Sequence, residues 1–381
     1  MKKIIFILTA ATLISCTKNE VAYEPTHEIG FTAVAGNITK AVVTGNVYPT
    51  KLNMYINSYV HATTVPTTPD YIRNGEFTQV GTYASYTGDN DASDIDKATY
   101  VWGGGSSASS RYPYYWPNKK TLHFSGYSKS GSYTSASYNP SEDALTIEGY
   151  KPGVGTDLGV NDLMWFPSTK NTRPDGYGKE TKYVPVEMFH TCSWITFMVK
   201  GDISTGSETS TYKVTSLTMK GLDMTANVVC TGDASLSQNN LSTYVVWSEN
   251  TTKSDTYSVS VNGSGVELKS TYNTYPKNLE TGTTASNSGN IVVIPQTPGT
   301  IDIEWINKSS IGEDFTDSAS GLSLSIGKET VQIDGVDTEV EKPWEPGKHY
   351  IYTITIKANE ILIAPTPKPW GDPTNGNITV E

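Results

Sequence analysis

Stretch after stretch, the apolar residues of this chain fall at every second position, the period of a strand with one face buried. From Glu28 onward, Ile29, Phe31 and Ala33 point one way and Gly30, Thr32 and Val34 the other, until Gly36-Asn37 ends the run. In Lys51 to Val60, Leu52, Met54, Ile56 and Ser58 are expected to face inward, with Asn53, Tyr55, Asn57 and Tyr59 outward. Further strands are predicted at Phe77 to Tyr86, Ala98 to Trp102, Thr121 to Tyr127, Ala144 to Tyr150 and Asp162 to Phe166. The pattern restarts with Val184 to Phe189 and Ser193 to Lys200, and it continues at 212–220, 224–231, 256–261, 290–295, 300–306 and 321–326. The longest regular stretch comes near the end, with Tyr350, Tyr352, Ile354 and Ile356 on one side, and Ile361 to Ala364 follow as one more strand. Strands at this spacing, separated by Thr, Ser, Gly and Asn turns, are the mark of a β-sandwich.

Between the strands, the two prolines of Thr63 to Asn74, Pro66 and Pro69, argue against helix and central strand, and Gly103 to Ser110 reads as a flexible run. Pro365 to Pro369 cannot lie in a central strand and are set apart as a tail, 365–381. Lys170 to Lys182 is polar with Gly and Pro, and it is the predicted boundary between two domains. A chain of 381 residues is long enough for two. Composition agrees, since 24 Tyr, 33 Gly and 8 Trp favour pleated sheet and turns, and almost no helix is expected.

The first residues break the pattern. Met1-Lys2-Lys3, the short apolar run Ile4 to Thr12 and Leu13-Ile14-Ser15-Cys16 form a lipoprotein signal with its lipobox, so residues 1–15 are expected to be removed and Cys16 to carry acyl chains such as palmitate. The run falls short of the roughly 20 apolar residues of a spanning helix. Residues 17–27 then form a tether. The formal charge of −11, which becomes −13 once two lysines leave with the signal, argues against nucleic acid or anionic membrane as a partner. Cys192 and Cys230 fit either one disulfide or two buried thiols.

Catalytic chemistry finds no footing. The five histidines lack metal spacing, and there is no H-E-x-x-H, no G-x-S-x-G, no phosphate loop and no dinucleotide fingerprint. Glu142-Asp143 and Glu313-Asp314 read as solvated loop charges rather than a glycosidase pair. The acidic run Gly88 to Asp96 places Asp94 and Tyr100 where a calcium loop needs Gly and Glu, so a solvated hairpin tip is expected. Tyr112-Pro113-Tyr114-Tyr115-Trp116-Pro117 is either a stacking platform for sugars or an aromatic plug at one end of a sandwich, and the plug is favoured. Lys40-Ala41, in the loop after the first strand, is within reach of a trypsin-like protease, although a loop lysine is ordinarily just solvated. No enzyme and no cofactor are expected, which leaves binding or assembly.

The motifs together resemble the fimbrillin family of Bacteroidales, the subunits of type V pili. The resemblance runs through the lipobox, Ile29-Gly30-Phe31, Tyr115-Trp116-Pro117, Leu122-His123-Phe124, Asp162-Leu163-Met164, Phe189-His190, Val293-Ile294-Pro295-Gln296, Trp344 to Tyr352 and the closing Pro369-Trp370. It implies two tandem transthyretin-like β-sandwiches, here 41–182 and 183–364, preceded by a removable segment 16–40. It also implies export as an outer-membrane lipoprotein and assembly with other fimbrial subunits by strand exchange in support of adhesion to a surface receptor. Carried onto this chain, the removable strand holds Ile29, Phe31 and Ala33, and the cut falls at Lys40-Ala41, with lysine where the family usually has arginine. The donor strand lies among Tyr350, Tyr352, Ile354, Ile356, Ile361 and Ile363 with the tail to Glu381, which points to a stalk or anchor role. The rival expectation is a glycan-binding surface lipoprotein with Tyr112, Tyr114 or Trp116 exposed on a flat face.

Overall fold

The computed structural model describes residues 28–35, 52–82, 100–117, 120–153, 162–172, 183–202, 211–237, 239–248, 253, 255–260, 266–267, 273–275, 290–308, 315–333, 336–357 and 361–369. Cys16, Lys40, Ala41, the acidic run 88–96 and residues 370–381 lie outside them. Among the described residues the one helix is a single turn, α1 (Leu241–Tyr244), and all other regular structure is strand, so the protein is all-β.

Seven strands close a ring. Round it, β1 (Gly30–Ala35) lies beside β10 (Tyr183–His190), followed by β9 (Met164–Thr172), β6 (Thr121–Ser128), β2 (Met54–Val60), β3 (Ile72–Thr82) and β4 (Tyr100–Ser107), which returns to β1. β5 (Ser110–Arg111) folds back on the end of β4. The glycine run expected to be flexible is therefore strand. Gly104 is needed there, because a Cβ would lie 2.6 Å from the Tyr112 carbonyl oxygen.

A second layer covers one side of the ring. Its order is β14 (Val245–Trp247), β13 (Ala226–Thr231), β8 (Ala144–Tyr150) and β7 (Ser135–Asn139). Their inward residues Leu145, Ile147, Tyr150, Val228, Cys230 and Trp247 join the same core as Phe31, Phe77 and Phe124. This layer corrects one expectation: Asn57 and Tyr59 are buried. Asn57 exchanges hydrogen bonds with Asn74, which in turn donates to the Ala136 carbonyl of β7, so the face predicted to meet water meets another sheet.

The second core lies between two further sheets. In one, β11 (Ser193–Asp202) has β17 (Asn273–Tyr275) and β18 (Asn290–Val293) on one side and β23 (Lys348–Lys357), parallel, on the other, with β24 (Ile361–Pro369) at the edge. In the other, β12 (Thr211–Leu222) lies between β15 (Asp255–Ser260) and β19 (Thr300–Lys308), β20 (Phe315–Ser323) forms the edge, and β16 (Val266–Glu267) also pairs with β12. Ile195, Phe197, Leu217, Ile303, Tyr352 and Ile354 are completely buried between them. Among the described residues, the hairpin of β21 (Lys328–Ile333) and β22 (Val336–Glu341) pairs only with itself. The strand expected at 321–326 instead begins at Phe315, since an exposed edge strand needs no apolar alternation.

The chain passes from the first core to the second through two residues only, Thr191 and Cys192, between β10 and β11, and it returns to the first with β13 and β14. Cys192 and Cys230 are both free and buried, and burial pushes both thiols up, so of the two readings the structure holds the buried thiols. The stretch Pro365–Pro369 continues β24 as an edge strand, with Pro365, Pro367 and Pro369 opposite Tyr352, Tyr350 and Lys348. The ladder runs unbroken through them, which requires their missing N–H groups to lie on the side away from β23.

Candidate functional site: the slot of the first strand

Alternation gives β1 its two faces, and the ring supplies a neighbour on each edge. It pairs with β10 in parallel from Gly30 opposite Tyr183 to Ala35 opposite Met188, and with β4 antiparallel at Gly30 opposite Gly103 and Phe31 opposite Trp102. Both neighbours are far away in sequence. Ile29, Phe31 and Ala33 are 0% exposed. The Phe31 ring meets Phe77 at 5.0 Å and 87° and Phe124 at 5.2 Å and 84°, edge to face, with Phe166 tilted at 6.5 Å. Gly30 lies where a Cβ would come within 2.7 Å of the Tyr183 ring and 3.3 Å of the Trp102 carbonyl, so the backbone of β1 fits only without a side chain there.

The aromatic segment 112–117 straps the start of this strand. The Ile29 N–H donates to the Tyr114 carbonyl at 2.8 Å, and Glu28 bridges to Tyr115, whose carbonyl accepts the Tyr71 hydroxyl. Tyr114 stacks on Phe77 at 5.5 Å, and burial raises its phenol, as does neighbouring Tyr112 to a smaller degree. Trp116 packs edge-on against Phe124 and is only 8% exposed. The plug expectation fits this arrangement. Of the three residues proposed as a sugar platform, only Tyr112, at 48%, reaches solvent substantially. Beside the strap, Arg111 pairs with the Glu28 carboxylate and donates from Nε to the Gly104 carbonyl at 3.1 Å.

The residues expected to donate a strand are gathered elsewhere. Tyr350, Tyr352, Ile354 and Ile356 are buried in the second core, on a strand flanked by β11 and β24. The Tyr352 hydroxyl accepts from Trp344 Nε1 at 2.8 Å and donates to the Leu324 carbonyl at 2.6 Å, and both contacts fix β23 in place. Ile361 and Ile363 are only partly buried on edge strand β24.

Three polar groupings that sequence reasoning missed are also formed. His61 Nδ1 and His123 Nε2 are 3.0 Å apart across 62 residues, although among the described residues no three His, Cys, Asp or Glu side chains converge as a metal site. Asp143, expected as a solvated loop charge, accepts from the Tyr138 hydroxyl at 2.7 Å and from the Ser168 N–H at 3.0 Å, and burial pushes its carboxyl up. The two motifs Asp162-Leu163-Met164 and Phe189-His190 meet, with His190 Nδ1 on the Asp162 carboxylate inside the core. Arg111 and Tyr183 carried no signal in the sequence, because nothing local pairs Arg111 with Glu28 83 residues away.

Fold and slot together define an all-β protein in which one short, sequence-remote strand completes a ring. The Fimbrillin-like family model matches residues 63–370, and the chain belongs to that family. Among solved structures, a fimbrial protein from Bacteroides vulgatus is similar at 14% identity and a TM-score of 0.50, over 90% of this chain and 99% of that one. A candidate cell adhesion protein from Bacteroides ovatus is similar at 12% identity and a TM-score of 0.45, over 90% and 97%. No curated protein matches.

Proposed function

We propose that the protein is a subunit of a cell-surface fimbria, exported as an outer-membrane lipoprotein on Cys16 and assembled by strand exchange. In this reading β1 occupies its own fold until a protease cuts at Lys40-Ala41, and a strand from a neighbouring subunit then takes its place. The observation that carries the reading is the position of β1: among the described residues it alone joins β10 to β4, and it brings two fully buried anchors, Phe31 and Ala33, with a third, Ile29, directly before it. Its loss would open two sheet edges and an aromatic-lined groove, both costly to leave in water. A donated strand restores ladder bonds and packing together. Membership of the fimbrillin-like family supports the same role.

The donor is taken from the chain beyond β23 rather than from β23 itself, and the part that enters the slot is the tail past β24. Withdrawing β23 would expose Tyr350, Tyr352, Ile354 and Ile356 and split the second core. A strand in the β1 position needs N–H groups on both edges, which bars prolines, and 374–381 is a proline-free segment with Ile378 and Val380 in alternation.

The test is treatment of the full-length protein with a lysine-specific protease, followed by N-terminal sequencing and electron microscopy. The expected outcome is a new N-terminus at Ala41 together with linear polymers. Clean loss of residues up to 40 with the protein still monomeric would overturn the reading.

A further inference from the structure

Glu28 and Arg111 are more than a surface ion pair, because the backbone around them is cut to fit. Gly103 of β4 lies beneath the pair, where an added Cβ would stand 2.8 Å from Arg111 Nη2 and 3.0 Å from Glu28 Oε1. Arg111 is itself held by its Nε bond to the Gly104 carbonyl and by its place in β5, opposite Gly105. About a quarter of its side chain is exposed, 27%, against 33% for Glu28. The guanidinium is thus fixed at the mouth of the slot by groups that do not belong to β1, and it meets β1 at the residue directly before the first anchor, Ile29. One residue further on, the Tyr183 ring closes the space above Gly30.

We infer that Arg111 and Tyr183 determine which strand the slot accepts: an occupant with an acidic residue immediately before its first apolar anchor and glycine immediately after it. This inference rests on the strand-exchange reading and gives the partner a chemistry. The carboxylate docks on Arg111, which stays in place when β1 leaves because β5 and Gly104 hold it. A side chain in the glycine position must push the Tyr183 ring out of its packing. Glu360-Ile361 of a second copy of this chain would meet the first requirement, and Leu362 would break the second. The tail segment 374–381, with Asn377 before Ile378 and Thr379 after it, meets neither requirement and enters this slot only weakly, so the best-fitting occupant is a strand of another subunit carrying acidic–aliphatic–glycine–aromatic in succession.

The test uses full-length protein after lysine-specific cleavage and fluorescent peptides of residues 27–36, with dissociation followed by anisotropy. The Glu28→Gln peptide is expected to leave about fivefold faster than the native peptide, the scale of a partly exposed ion pair. The Gly30→Leu peptide is expected to leave at least about tenfold faster, as overpacking does. On Arg111→Gln protein the native and Gln peptides should leave at equal rates, and a Glu28→Arg peptide should bind Arg111→Glu protein better than it binds the wild type. Equal rates for all three peptides on wild-type protein would overturn this inference alone. Failure of even the native peptide to enter would overturn strand exchange and this inference with it.

Discussion

Phe31 sits inside the first core where Phe77, Phe124 and Phe166 meet. Removing a buried phenylalanine ring loses its transfer energy and leaves a cavity that rigid strands close poorly, about 3–5 kcal/mol in all. Phe31→Ala is therefore expected to lower the urea midpoint of the full chain strongly with little change in slope. The same substitution at exposed Tyr112 should shift the midpoint far less. Two equal midpoints would show that the slot stays closed without its central anchor. Gly30 complements Phe31: the large side chain fills the inside of the ring, and the missing one leaves room for Tyr183 outside.

Strands were the legible elements. The alternation of Ile29, Phe31 and Ala33, of Leu122 and Phe124, and of Tyr350 through Ile356 each located a strand whose predicted face is buried. Where two layers meet, alternation misled, since Asn57 and Tyr59 look polar enough for water yet are buried, Asn57 linked through Asn74 to β7 and Tyr59 set against Ser168 and His123. Chain order could not reveal that β1 would close against β4 and β10, because both partners are distant and neither carries a matching local signal. Prolines misled in the other direction. Pro365, Pro367 and Pro369 look like the end of regular structure but form one edge of β24, whose outward face they strip of N–H donors. Such an edge resists accidental pairing with other chains. Replacing all three by Thr is expected to leave the fold intact and to produce concentration-dependent association in light scattering of the uncleaved protein. A triple variant as monodisperse as the wild type would remove this role from the prolines.

At the level of the whole molecule, two cores are joined by the shortest of connections, Thr191-Cys192, and by strands that cross back. Trp247 Nε1 donates to the Thr191 carbonyl at 2.8 Å, and the Gly347 N–H donates to the Cys192 carbonyl at 2.8 Å, so the connection is braced from both sides. It also lies on a line of strands: β1 beside β10, β10 continuing into β11, and β11 parallel to β23 over nine pairs. Tension entering through the occupant of the slot would run along these strands rather than across them. Ladder bonds loaded in this way must fail together, whereas bonds peeled from one end fail one at a time. In optical tweezers, tethers before Glu28 and after Pro369 should hold to a clearly higher force before β1 releases than tethers before Glu28 and at residue 183, where the parallel pair begins. Equal rupture forces would refute this. The parallel pairing of one short strand thus acts as a mechanical clutch, strong along the axis a filament would be pulled and weak to a sideways lift from its end.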